Sequence, residues 1–172
     1  YLQNRNANIL VYHAAQPIST IKRHVVILPF MSHTEPGFFH SLLRIWNIGR
    51  NSGAVLSFYS SRVCIDILKR IHKRANIEAD FNVVHEWTRL EQILKDVDTD
   101  EGLILVMAKS GMTSYSPQMR TVPDILNARF SDKNYLLVYP YSGSEEDDGE
   151  KRSVNSHGDF IEIGNIIGKM FK

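Results

Sequence analysis

The sequence predicts an α/β domain with a mainly parallel sheet, and two observations carry that prediction. Short runs rich in Val, Ile, Leu and Tyr alternate with helical patterns along most of the chain. Two of these runs, VVIL at 25–28 and LILVM at 103–107, are almost continuously apolar, which is typical of strands buried on both faces of a parallel sheet. The predicted fold is therefore a three-layer sandwich, with helices on both faces of the sheet.

Each element follows from a local pattern. Strands are predicted at 8–13, 24–30, 54–59, 78–85, 103–107 and 135–139. Four helices are predicted to start after Pro36, after Ser60 or Ser61, at Thr88 and near Pro123. Thr88 and Glu91 have the spacing of a capping box, and Pro123 is tolerated because the first turn of a helix leaves its N–H groups unpaired.

Composition limits the function. The chain has 172 residues, 43% of them hydrophobic, which is enough for one substantial core, and its formal charge of +1 gives no basis for a nucleic-acid-binding face. The single cysteine, Cys64, cannot form an internal disulfide and is predicted to be a buried, inert thiol in a reducing compartment. No apolar run reaches the roughly 20 residues that cross a bilayer, so the chain as given is expected to be soluble.

The composition changes after residue 142. The stretch 143–158 is a polar, acidic linker without a core pattern. The final segment, 159–172, has apolar residues at intervals of three and four, which predicts a short amphipathic helix that needs a partner surface, such as the membrane surface. These apolar residues are Phe160, Ile163, Ile166, Ile167, Met170 and Phe171.

A candidate ligand site lies at the strand ends, where LILVM leads into a loop of small and hydroxylated residues. This loop matches neither GxxxxGK[ST] nor GxGxxG, since Gly111 is its one glycine. Side chains could still contact an anion, and the candidate ligand-binding residues are Pro29, Lys109, Ser110, Gly111, Thr113 and Ser114. No catalytic residue is predicted, because Ser110 lacks the preceding glycine of a nucleophile elbow. No metal site is predicted either, because the seven histidines show no ligand spacing.

Three segments carry a family resemblance: KRHVVILPF at 22–30, GFFHSLLRIWNIGRNSGAVLSFYSS at 37–61 and NYLLVYPYS at 134–142. Their order resembles a universal-stress-protein-like (adenine nucleotide alpha hydrolase-like) domain. It resembles more narrowly the cytosolic C-terminal region of bacterial sodium or cation/proton antiporters, in which two such domains follow a transmembrane transporter. The resemblance implies five parallel strands in the order 3-2-1-4-5 within 22–142, with residues 1–21 supplying an extra N-terminal strand and the link from a preceding domain.

The resemblance also bears on ligands. Nucleotide-binding members place an acidic residue just after the first strand and a G-x2-G-x9-G-[ST] loop after the fourth. This chain has LPFMSH at 28–33, without Asp, and Gly111 alone in the later loop. The expected function is therefore a non-catalytic regulatory or assembly domain without a cofactor. Two alternatives stay open: a sensor of ATP, AMP or a cyclic dinucleotide, and a hydrolase of unknown substrate.

The resemblance further implies partners and location. The expected partner is the transmembrane part of the same transporter, which would carry out sodium or cation/proton exchange, and the expected location is the cytoplasmic side of the bacterial inner membrane. The strand at 135–139 is expected at one edge of the sheet, where it needs a cover. A homodimer with Tyr135, Leu137 and Tyr139 at its interface is favoured, and the chain's own segment 8–13 is the other candidate cover.

Overall fold

The computed structural model describes residues 8–75, 77–85 and 89–141. Its strands are β1 (Ile9–His13), β2 (Arg23–Ile27), β3 (Val55–Ser60), β4 (Ala79–Val83), β5 (Glu101–Val106) and β6 (Asn134–Tyr139). Its α-helices are α1 (Phe38–Ser52), α2 (Arg62–His72), α3 (Leu90–Lys95) and α4 (Val122–Arg129). Short 3-10 turns lie at Ile18–Thr20, Ser32–Thr34 and Pro117–Thr121.

All six strands form one sheet in the order β1-β6-β5-β2-β3-β4. The strands from β2 to β6 are parallel, whereas β1 pairs with β6 in the antiparallel direction. The prediction of an α/β domain with a mainly parallel sheet is confirmed. The sheet has six strands rather than five because β1 joins it; counted from β2, the parallel strands lie in the order 3-2-1-4-5.

The strand β6 is not an edge strand, which corrects the predicted interface. Its register with β1 runs from Ile9 opposite Tyr139 to His13 opposite Tyr135. The homodimer edge predicted at Tyr135, Leu137 and Tyr139 is therefore wrong, because β1 already occupies the outer backbone groups of β6. Leu137 in the middle of this strand is only 6% exposed, so a partner could not reach its side chain. The alternative cover, segment 8–13, is the one that the structure contains.

The side chains of the sheet divide into two cores. One lies between the sheet and the helices α1 and α2, and it includes Trp46 stacked on Phe58 with ring centroids 5.1 Å apart. The other lies on the opposite face with α3 and α4, and it includes Leu103 and Phe130. This separation follows from right-handed crossovers: the chain moves outward from β2 to β4, then returns to β5 and moves the other way, which places the later helices on the other face.

The helix boundaries agree with most of the local patterns. The side chain of Ser61 caps α2 by accepting a hydrogen bond from the Cys64 N–H at 3.4 Å, and Pro123 lies in the first turn of α4. Glu91 lies in the first turn of α3, while its predicted capping partner Thr88 is outside the described residues.

Parts of the predicted organisation lie outside the described ranges. They are residues 1–7 of the predicted N-terminal segment 1–21, the linker 143–158 and the segment 159–172. Within those ranges, no helix combines the length and the apolar character required to span a bilayer.

Candidate functional site at the strand ends

The carboxyl ends of β2 and β5 form the switch point of the sheet. These two strands are neighbours, and the chain leaves β2 for α1 on one face but leaves β5 for α4 on the other. The two loops at 28–37 and 107–121 therefore separate and flank a crevice. Ligands of doubly wound α/β proteins bind in such crevices, so these loops are the first candidate for a site.

The loop after β2 is held by its own backbone. Met31 has a φ of 63°, in the left-handed region, and this residue reverses the chain before the short turn Ser32–Thr34. The N–H of Ser32 donates to the Pro29 carbonyl at 3.2 Å, and the Thr34 hydroxyl donates to the Met31 carbonyl at 2.7 Å. Pro29 itself is buried, and its carbonyl is already paired inside the loop.

The loop after β5 turns at Gly111, which has a φ of 95° that a residue with a Cβ would rarely adopt. The N–H of Met112 donates to the Lys109 carbonyl at 3.1 Å, and the N–H of Lys109 donates to the Met112 sulfur at 3.2 Å. The tip of this loop is thus a closed turn. It does not aim a series of backbone N–H groups at one point, as a phosphate-binding loop does.

Glu35 connects the two loops across the crevice. Its side-chain oxygen Oε1 accepts a hydrogen bond from the backbone N–H of Ser114 at 2.7 Å, and both residues are buried. A backbone N–H after β5 is the type of donor that binds a phosphate oxygen in nucleotide sites. In this chain the donor is occupied by a carboxylate of the protein itself. Any phosphate at this position would have to displace Glu35 and would face its negative charge.

The six predicted ligand-binding residues do not form one cradle. Pro29 and Ser114 are buried, and Lys109 is half-buried. Ser110, Gly111 and Thr113 are exposed at the rim of the crevice. The loops do bring these residues to the same end of the sheet, as the sequence pattern indicated, but the inward-facing N–H of Ser114 already has its partner.

A small buried polar cluster lies behind the loop that follows β2. The Ser60 hydroxyl donates to the Leu28 carbonyl at 3.0 Å, and the Ser32 hydroxyl lies 3.5 Å from the Cys64 sulfur. Burial raises the pKa of the Cys64 thiol, and the hydrogen bonds of Ser60 and Ser32 oppose this only in part. The prediction of a buried thiol is confirmed, and its raised pKa makes it a poor nucleophile.

Two further observations concern small ligands at this end of the sheet. A cavity between β2, β3 and α3 has a volume of about 10 Å³, which suits one water molecule at most. In the described part of the chain, no three His, Cys, Asp or Glu side chains come together in a way that could hold a metal ion.

Glu35 is a site residue that no sequence pattern singled out. The family pattern directs attention to the residues immediately after the first core strand, whereas Glu35 lies seven residues beyond Leu28 and returns to the crevice through the turn Ser32–Thr34. A carboxylate in a loop between a buried strand and an apolar helix is ordinarily exposed, so the sequence carries no signal that Glu35 is buried. The sequence could not show that its partner is the backbone of Ser114, 79 residues away.

Comparison with known proteins adds no relative: no protein-family model, no curated protein and no solved structure matches this chain.

Proposed function

We propose that this chain is a non-catalytic regulatory or assembly domain that acts through protein contacts rather than through a bound nucleotide. The observation that carries the proposal is the hydrogen bond between the Glu35 carboxylate and the Ser114 N–H. It places a negative charge of the protein where the switch point would otherwise receive a phosphate. If the protein's own carboxylate fills the switch point, the role of the domain lies in its contacts with other protein segments.

The wider setting of the proposal is a sodium or cation/proton antiporter of the bacterial inner membrane. The support is the resemblance of segments 22–30, 37–61 and 134–142 to the universal-stress-protein-like domains that follow the transmembrane part of such transporters. The mainly parallel α/β sheet is compatible with that fold. In this setting the chain lies on the cytoplasmic side, its partner is the membrane part of the same transporter, and exchange of the cation for a proton belongs to that part. A homodimer remains part of the proposal, with an interface other than the outer edge of β6.

Nucleotide titration tests the first part of the proposal. Thermal unfolding of the purified chain is measured with and without millimolar MgATP, AMP and cyclic di-AMP. We expect no change in Tm, whereas a ligand present at 100 times its Kd would add about 2.7 kcal/mol to the free energy of unfolding. A saturable rise in Tm with any of the three would overturn the proposal and favour the nucleotide sensor. Turnover of generic phosphate or ester substrates would favour the hydrolase instead, provided that a single substitution in this chain abolishes the turnover.

The reading frame upstream of Tyr1 tests the second part. The proposal expects several apolar runs of about 20 residues there, each long enough to cross a bilayer. In the full transporter, deleting this chain should change the rate or the regulation of exchange without abolishing it. An upstream frame without apolar spans would contradict the antiporter setting and leave the first part standing.

A further inference from the structure

An apolar groove lies beside α1, on the face of the sheet that α1 and α2 cover. It has a volume of about 280 Å³ and lies over the ends of β1, β6 and β5. We call it the β1 groove, and its apolar lining includes Leu10, Tyr12, Ile18, Ile48, Ile104 and Leu136. It is at the opposite end of the sheet from the Glu35 crevice, because His24, Gly102 and Asn134, which also line it, lie at or near the starts of their strands.

The topology explains why the groove is open. Leu10 pairs with Val138 and Tyr12 pairs with Leu136, so both point to the face of α1 and α2. The described chain places only two helices there, and α1 borders the groove through Ile48. Because β1 extends the sheet beyond α1, its side chains Leu10 and Tyr12 on this face stay exposed, whereas Leu136 and Val138 of β6 are buried in the core that α1 forms.

These side chains are unusually apolar for an open surface. Leu10 is 42% exposed, Tyr12 is 52% exposed and Ile18 is 43% exposed. In the described part of the chain, half of the six exposed large apolar side chains therefore line this one groove. Such a concentration of exposed apolar surface marks a contact site.

The opposite face of the same sheet provides an internal comparison. There, β2, β3 and β4 carry a half-exposed polar network in which Arg23 contacts the Asp80 carboxylate at 2.8 Å and the Ser57 hydroxyl at 3.2 Å. Asn82 completes the network by donating to Asp80 at 2.9 Å. At β3 and β4, where this face meets water, the sequence supplies charged, hydroxyl and amide side chains. The apolar residues of the β1 groove therefore indicate a surface that is covered.

The chain itself contains a segment with the required properties. Residues 142–172 follow the last described residue, and within them the segment 159–172 has an apolar stripe at helical spacing. As a helix it would be about 21 Å long, and it needs an apolar partner because so short a helix is unstable alone in water. Its two lysines, Lys169 and Lys172, fall outside the stripe.

The linker is long enough to bring this segment to the groove. β6 ends at Tyr139, at the carboxyl end of the sheet, and the groove lies near the other end of that strand, a distance of roughly 20 Å for six residues. The polar linker 143–158 spans on the order of 50 Å when extended. The connection can therefore cross the sheet edge without strain.

We propose that the segment 159–172 docks as an amphipathic helix into the β1 groove of the same chain and covers Leu10, Tyr12 and Ile18. The segment thereby supplies the helix that this face of the sheet lacks over β1. This inference does not depend on the antiporter setting or on the absence of a nucleotide.

Hydrogen exchange of the 172-residue chain tests the proposal. We expect the amides of 159–172 to exchange at least about tenfold more slowly than those of the linker 143–158. Ile18→Asp places a charge in the groove outside the strands, and it should remove that protection while far-UV circular dichroism stays unchanged. Val63→Asp is the matched control, because Val63 is 57% exposed on α2 and does not line the groove. It should leave the protection intact.

A variant of the segment 159–172 and two further conditions, dilution and added vesicles, decide what occupies the β1 groove. Ile166→Asp combined with Ile167→Asp should speed exchange in 159–172 and increase binding of an apolar dye to the 172-residue chain. Protection that disappears on dilution would assign the groove to a second copy. Protection that appears only with vesicles of phosphatidylglycerol and phosphatidylethanolamine would assign the segment to a membrane surface. Either of these last two results would overturn the proposal. So would unprotected amides of 159–172 in the wild type, or an equal loss of their protection in Ile18→Asp and Val63→Asp.

Discussion

The side chain of Asn134 pairs with both backbone groups of Gln16. Its Oδ1 accepts from the Gln16 N–H at 2.9 Å, and its Nδ2 donates to the Gln16 carbonyl at 2.8 Å. The same Oδ1 accepts from the Ala15 N–H at 2.7 Å, and Nδ2 also lies 3.3 Å from the Tyr12 hydroxyl. One buried amide at the start of β6 thus holds the turn that follows β1, 118 residues away in sequence.

This arrangement makes Asn134 a determinant of β1 docking. We expect Asn134→Ala to lower the free energy of unfolding by about 1–3 kcal/mol, because it leaves backbone groups of Ala15 and Gln16 without their partner. The amides of Ile9–His13 should also exchange faster. Asn127→Ala is the control: Asn127 is exposed on α4, and its loss should change the free energy by no more than about 0.5 kcal/mol. Chemical denaturation of both variants measures the difference, and equal stabilities would contradict the assigned role.

Glu35 offers a second test, with a conservative variant. Glu35→Ala leaves the buried Ser114 N–H unpaired and should lower the free energy of unfolding by about 1–3 kcal/mol. Glu35→Gln keeps an oxygen acceptor at the same position, so its free energy of unfolding should fall clearly less than that of Glu35→Ala. The exposed Glu78 provides the control, since Glu78→Ala should shift the free energy by less than about 0.5 kcal/mol. Denaturant titration of the three variants at neutral pH is the measurement, and a Glu35→Ala variant as stable as wild type would refute the contact.

The pH dependence of stability should report His24. Burial lowers the pKa of His24 from its ordinary value near 6.5 to about 4, and its Nε2 lies 3.2 Å from the Ser52 hydroxyl. Between pH 6.5 and pH 4, His24 therefore binds a proton more readily in the unfolded chain than in the folded chain, which favours unfolding. The stability contributed by neutral His24 is complete above pH 6.5 and declines as the pH falls toward 4, by up to roughly 3 kcal/mol. Burial also lowers the pKa of His33, which acts in the same direction.

Denaturation curves between pH 7.5 and pH 4.5, a range set by the pKa of His24, provide the measurement. His24→Gln should flatten the dependence, whereas His40→Gln, at an exposed position of α1, should keep it. A slope that is the same in the wild type and in His24→Gln would show that His24 is not the titrating group.

Local patterns determined much of this protein. The runs VVIL and LILVM and the helical stripes between the strands predict the α/β class, because burial on both faces of a parallel sheet requires apolar residues at successive positions. Ser61 and Pro123 marked helix starts that the structure retains, since capping depends on neighbours within one turn. The burial of Cys64 also followed from the apolar face of its helix.

The tertiary structure decided the features that join distant parts of the chain. β6 is not an edge strand because β1 pairs with it, with Ile9 opposite Tyr139. The apolar residues of β6 would equally suit pairing with a second copy of the chain, so the sequence does not decide between the two partners. The contact of Glu35 with Ser114 and that of Asn134 with Gln16 each use a backbone group, which every residue carries, so no side-chain pattern reveals them. Sequence periodicity reports which face of an element is buried, whereas the partner of that face is set by the packing of the whole chain.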